Sequence, residues 1–174
     1  MPESNNQNFN HLKVHTQYSI CEGAIKIDRL KDFCKENKIP CLGISDTSNL
    51  FGALEFAENI SKVGTQPIIG TQIYFKFEDT TGLLPLIALN EKGYKRIIEL
   101  SSRSYLENDA LSDPHLNIKE ILKDTEGVLL LSGTIQGLFG KLFQKGRLEE
   151  ITKIYKSLSS KFNDNFYLEI QRHG

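Results

Sequence analysis

Two histidines four residues apart, His11 and His15, lead into a loop that carries Glu22 and Gly23. On one strand their side chains can share a face, because strand residues alternate in direction. Imidazoles at a strand end, followed by an acid in a loop, are a common start for a metal site. A hydrolytic centre needs several His, Asp or Glu ligands that converge and leave one position open for water. The chain has four histidines: His11, His15, His115 and His173. His115 falls in an expected surface loop, and a lone strand histidine is more often structural than a ligand.

Other chemistries fit less well. The run Ser132 to Lys141 follows an expected strand and enters a helix, as a phosphate loop would. Ile135 stands where a Walker loop needs glycine, and Leu142 where it needs Ser or Thr. A tight turn with a helix start is the better reading, and no nucleotide site is assigned. Cys21 lies near His15 in the chain, but no orienting third group accompanies it. Cys34 sits on an apolar helix stripe and Cys41 opens a buried strand, which suits packed thiols. Lys141, Lys145 and Arg147 are offset by Glu149 and Glu150 and read as a solvated helix face.

Elements must position these residues. Leu12 to Thr16 reads as a short strand and Ile25 to Asn37 as an amphipathic helix with Pro40 beyond its end. Cys41 to Ser45 is an apolar strand that ends at Asp46. Leu50 to Ile60 is a second helix, closed by Gly64. Pro67 to Phe75 is rich in strand formers. After a turn at Asp79 to Gly82, Leu83 to Leu89 is a strand whose Pro85 predicts an edge or bulge. Gly93 to Tyr105 reads as a helix, then Glu107 to Leu116 as loop and Ile118 to Leu122 as a short helix. Gly127 to Ser132 is a strand, Gly137 to Gln144 and Leu148 to Lys161 are helices, and Phe166 to Gln171 is a last strand.

Apolar strands separated by helices imply an α/β fold with a mostly parallel sheet covered on both faces. Active sites of such folds lie at the C-terminal strand ends. That places His15, Asp46, Gln72 and Thr134 on one rim. A length of 174 residues suits one domain, and the net charge of -1 gives no global case for gripping a phosphate backbone. Three cysteines without a CxxC pair point to a reducing compartment, and with no signal peptide or membrane span the chain is expected to be cytoplasmic. Residues 1–10 are polar and are expected to be a frayed tail preceding one domain at 11–174.

An ordered set of segments carries a specific resemblance. His11-Leu-Lys-Val-His15-Thr-Gln-Tyr-Ser19, Ser45 to Phe56, Pro67-Ile-Ile-Gly70-Thr-Gln72, Gly93-Tyr94, Leu131-Ser132-Gly133 and Leu168 to Gly174 follow one another in family order. Together they resemble the polymerase-and-histidinol-phosphatase (PHP) domain, N-terminal in bacterial DNA polymerase III alpha subunits. The resemblance implies a distorted β/α barrel, mostly parallel, with a multi-metal cleft at the strand ends. A live cleft in this family hydrolyses phosphodiesters, including as a 3′-to-5′ exonuclease. The late Asp-x-His pair of the family does not occur before Gly174, so an incomplete barrel from a longer subunit is expected.

Carried over residue by residue, the family's ligand set is mostly replaced. The first His-x-His becomes Lys13 and His15, and the acid after the serine loop is Glu22. Thr-Asp-His becomes Ser45-Asp46-Thr47, and the next glutamate becomes Gln72. The later histidine falls around Leu83, and the Cys or His after Leu-Ser-Gly is Thr134. Such replacements remove negative charge and donors, and Lys13 adds a cation that repels a metal. The resemblance therefore implies a vestigial cleft with no catalytic residue and no occupied metal site. Zn²⁺ or Mn²⁺ would be the ion if a weak site survived. Lys13 is expected to pair with Glu22 or Asp46, and Asp46 to cap its loop through Asn49. Implied partners are the remainder of the alpha chain and the proofreading exonuclease subunit, with DNA met only through the whole polymerase and no membrane.

Overall fold

The computed structural model describes residues 9–171; residues 1–8 of the expected 1–10 tail and the Arg172 to Gly174 end of the last motif, with His173, lie outside them. Among the described residues, six α-helices and six strands follow one another, with a short 3-10 turn at Asn163–Asn165 before the last strand. They are α1 (Ile27–Asn37), β1 (Cys41–Thr47), α2 (Ala53–Ser61), β2 (Gln66–Phe77), β3 (Thr80–Ala88) and α3 (Glu91–Leu106). β4 (Leu116–Asn117), α4 (Ile118–Ile121), β5 (Val128–Leu131), α5 (Leu138–Gln144), α6 (Leu148–Phe162) and β6 (Phe166–Tyr167) complete the order. No helix among the described residues is long and apolar enough to cross a membrane.

The sheet runs β1-β2-β3-β5-β6, with β4 added on β2. β1–β2, β2–β4 and β5–β6 are parallel, while β3 is antiparallel to both its neighbours. The sheet is therefore mixed and mostly parallel, and it does not close by backbone pairing.

Register decides which residues reach the cleft. Ile73 pairs with Leu84 in the β2–β3 ladder, and Tyr74 with Leu83. Alternation sends Ile73, Phe75, Leu84 and Leu86 into the larger core, where they meet Leu100 of α3, Leu142 of α5 and Leu158 of α6. Gln72 and Leu83 belong to the opposite parity and line a cavity instead. The expectation of a sheet covered on both faces thus fails at this patch, where the strands turn polar or half-buried side chains to a cleft. A second core joins Ile27 and Leu30 of α1, Leu42 and Ile44 of β1, and Phe56 and Ile60 of α2.

Three sequence-based expectations need correction. Leu12 to Thr16 is not a regular strand: a single bridge, Val14 with Ile44, ties it to β1, and a second, Thr16 with Ile25, ties it to the loop before α1. The Val14 N–H donates to the Gly43 carbonyl at 3.2 Å, and the Gly43 N–H to that of His11 at 2.7 Å. Gly43 permits this approach, because a Cβ there would stand 2.8 Å from the Leu12 backbone. Pro85 is not on an edge, since β3 lies between β2 and β5. It pairs with Gln72 and stands just outside the β3–β5 ladder, which starts at Leu86, so its missing N–H falls where that ladder ends. Finally, β6 stops at Tyr167, well short of Gln171.

The basic cluster is not simply a solvated face either. Lys141 Nζ donates to the Thr81 carbonyl at 2.9 Å and Lys145 Nζ to Thr80 Oγ1 at 2.7 Å. Arg147 grips both oxygens of Asp79, and its guanidinium lowers the Asp79 carboxyl from 3.8 to about 2. These side chains clamp the β2–β3 hairpin onto α5 and the start of α6.

Candidate functional site

A cavity of about 260 Å³ opens at the C-terminal end of β1, beside the middle of β2 and β3, lined by Lys13, His15, Glu22, Gln72, Leu83 and Thr134, with Gln136 and Gln171 also in its wall. Six of the eight expected cleft residues thus share one space. Segments distant in the chain supply them: residues 11–16 beside β1, the loop before α1, β2, β3 and the turn into α5. Gly133, at φ +75°, and the Gly137 N–H, which donates to the Thr134 carbonyl at 2.9 Å, shape that turn. It is the tight turn expected there rather than a phosphate loop.

Asp46 and Thr47 stand behind the lining and organise it. Asp46 is 1 % exposed. Its carboxylate accepts the Thr16 N–H at 2.6 Å, the Thr16 hydroxyl at 2.7 Å and the Ser19 hydroxyl at 2.7 Å. The Ser19 oxygen in turn accepts the Thr47 N–H at 3.1 Å. Asp46 is therefore a structural acid that ties the first segment to β1, with its oxygens already engaged. The cap role through Asn49 does not occur. Asn49 instead donates to the Tyr18 and Thr47 carbonyls and accepts the Phe51 N–H.

A second chain of bonds crosses the cleft wall. Gln72 Nε2 donates to Thr47 Oγ1 at 2.7 Å, and that hydroxyl donates to Glu22 Oε2. Each group's role is complementary to the next, so the amide and hydroxyl hold Glu22 without a cation. Nearby, burial pushes the Tyr74 phenol up, with the Glu22 and Asp113 charges adding to the effect.

Lys13 does not pair with Glu22 or Asp46 as expected: Asp46 is buried with both oxygens engaged, and Lys13 turns to a different acid. Its Nζ lies 2.8 Å from Oε1 of Glu169, with the two side chains only 18 % and 14 % exposed. Glu169 escaped the residue-by-residue reading. Its signal was an acid directly after the apolar end of the last strand, inside a motif already noted. His15 faces the cavity and stands 3.4 Å from Ser19 Oγ through Nδ1. His11 does not join it: the residue is exposed and its ring packs edge-on against Phe9 at 4.9 Å. Cys21 is exposed, Cys34 is buried and Cys41 is partly covered.

The donor set can now be weighed against a metal cluster. Among the described residues, no three His, Cys, Asp or Glu side chains converge to hold an ion. The cavity offers one imidazole, one hydroxyl-bonded carboxylate, amides, an alkyl group and an ammonium. These do not fit a multi-metal centre, which needs several anionic or imidazole ligands around each ion.

Comparison with known proteins agrees with the residue pattern. A family model described as the PHP domain matches residues 11–173. The DNA polymerase III subunit alpha of Caulobacter vibrioides is 37 % identical over all of this chain, and that of Borreliella burgdorferi is 35 % identical over 95 % of it. The chain spans only 16 % and 15 % of the length of these two relatives. Among solved structures, one described as a metal-dependent phosphoesterase from Bifidobacterium adolescentis superposes with a TM-score of 0.55. It covers 92 % of this chain and 76 % of its own at 13 % identity, a likeness of fold. The sheet, the cleft beside its strands and the family match lead to one statement: this chain belongs to the PHP domain family.

Proposed function

We propose that this chain is the PHP domain of a replicative DNA polymerase III alpha subunit, filling residues 11–174, and that its cleft has lost catalysis. The single observation behind this reading is the state of the cleft. Lys13, Thr47, Gln72, Leu83 and Thr134 occupy positions where the family resemblance implies metal ligands, and the remaining acids are engaged by protein donors. The domain's own role is then structural, buttressing the polymerase body. Template-directed nucleotidyl transfer belongs to the rest of the subunit, in the cytoplasm, and DNA is met only there. A docking surface for the proofreading exonuclease subunit is part of the same proposal. Exposed apolar side chains such as Phe51, Leu54 and Tyr105 give it material to use.

The test is a nuclease assay on single-stranded and mismatched 3′ ends, run in Zn²⁺ and in Mn²⁺. The expected result is no release above the buffer control. Chelator-sensitive hydrolysis that disappears in His15→Ala would overturn the loss of catalysis and establish a residual metal-dependent exonuclease. Co-purification with the proofreading subunit tests docking; loss of the complex in Phe51→Asp supports it, and no complex with the unaltered chain counts against it.

A further inference from the structure

The two ends of the open sheet meet at one ion pair. Residues 11–16 lie along the outer side of β1 at one end, and β6 forms the other. No backbone pairing joins these ends among the described residues. Lys13 belongs to the first end, and Glu169 follows β6 at the second, 156 positions away in the chain. Their 2.8 Å contact therefore spans the seam that the backbone leaves open.

Glu169 is held in place for this contact. Its N–H donates to Ser132 Oγ at 2.9 Å, and the Ser132 N–H donates to the Tyr167 carbonyl at 2.9 Å. Gln171 Nε2 reaches Oε1 at 3.5 Å, while Oε2 is buried with no hydrogen-bond partner among the described residues. A carboxylate oxygen withdrawn from water and left without a donor is costly unless a cation lies close. The Lys13 ammonium is that cation.

We infer that Glu169 anchors a cation site whose resident cation is the chain's own Lys13 ammonium, and that the pair clasps the seam of the sheet. The inference rests on the reading of the cleft as vestigial and adds to it a positive job for the lysine. A tethered primary ammonium thus holds together two ends that no backbone pairing joins among the described residues. Vacated, the site would take a small primary alkylammonium, since one carboxylate does not make a divalent site.

Hydrogen exchange in the full chain tests this. The amides to follow are Val14, Gly43 and Ser45 at one end and Ser132 at the other. In Lys13→Met, which keeps the aliphatic stem, and in Glu169→Gln, these amides are expected to exchange about tenfold faster, between the effects of exposed and buried pairs. The double variant is expected to be no faster than either single one, and Lys13→Arg to stay protected. Ethylammonium should restore protection to Lys13→Ala but not to Glu169→Gln, and tetramethylammonium to neither. Additive effects, unchanged exchange in Lys13→Met, or Mn²⁺ protecting Lys13→Ala as well as ethylammonium does, would each overturn the clasp. Stoichiometric Mn²⁺ binding by the unaltered chain would instead overturn the vestigial reading, so the two failures are distinct.

Discussion

Asp46 accepts three hydrogen bonds at a position 1 % exposed, so removing it strands two hydroxyls and a backbone N–H in the interior. Each such group costs about 1–3 kcal/mol. Asp46→Ala is accordingly predicted to lose about 3 kcal/mol of stability by urea unfolding, with little change in any metal affinity. A loss of bound metal with stability intact would mean that the acid serves as a ligand. Asp79 gives a pH test at the same scale. Its folded carboxyl titrates at about 2 against an ordinary 3.8, so the clamp contributes fully above that ordinary value. The contribution fades as pH falls through about 2. Carboxyl chemical shifts should show Asp79 titrating near that low value, and moving back up in Arg147→Gln.

At the element scale, α3 shows how a helix start is locked. Asn90 accepts the Gly93 N–H at 3.0 Å through its side chain. A Cβ on Gly93 would stand 1.7 Å from the Gly127 carbonyl oxygen. Asn90→Ala is predicted to cost about 1 kcal/mol as a lost cap. Gly93→Ala should cost about 3 kcal/mol, because backbone must shift in both α3 and the turn before β5. Thermal melting of the two variants checks the order, and a smaller loss in Gly93→Ala would contradict it. Helices such as α1, α3 and α6 were legible from the sequence because their apolar periodicity is local. The first segment and β3 were less so. Whether residues 11–16 form a ladder depends on their fit against Gly43, 27 or more positions on, and whether Pro85 lies on an edge depends on β5 pairing with the end of β3, from Leu86 onward. Those are tertiary facts that no local pattern carries.

At the scale of the whole molecule, the cleft was legible as a place more than as a set of bonds. Strand-end logic and the family resemblance gathered eight residues, of which Lys13, His15, Glu22, Gln72, Leu83 and Thr134 line one cavity while Asp46 and Thr47 stand behind it. The partner of Lys13 was not legible, since Glu169 reaches it only through the curl of the entire sheet. Under the proposed function, the domain is a family scaffold whose cleft is lined by its own donors and its own ammonium. The most direct test is elemental analysis of the purified chain by mass spectrometry, after dialysis against Zn²⁺ and Mn²⁺ at micromolar excess. Retained metal well below one ion per chain is the predicted result. One or more ions per chain, released in His15→Ala, would contradict it.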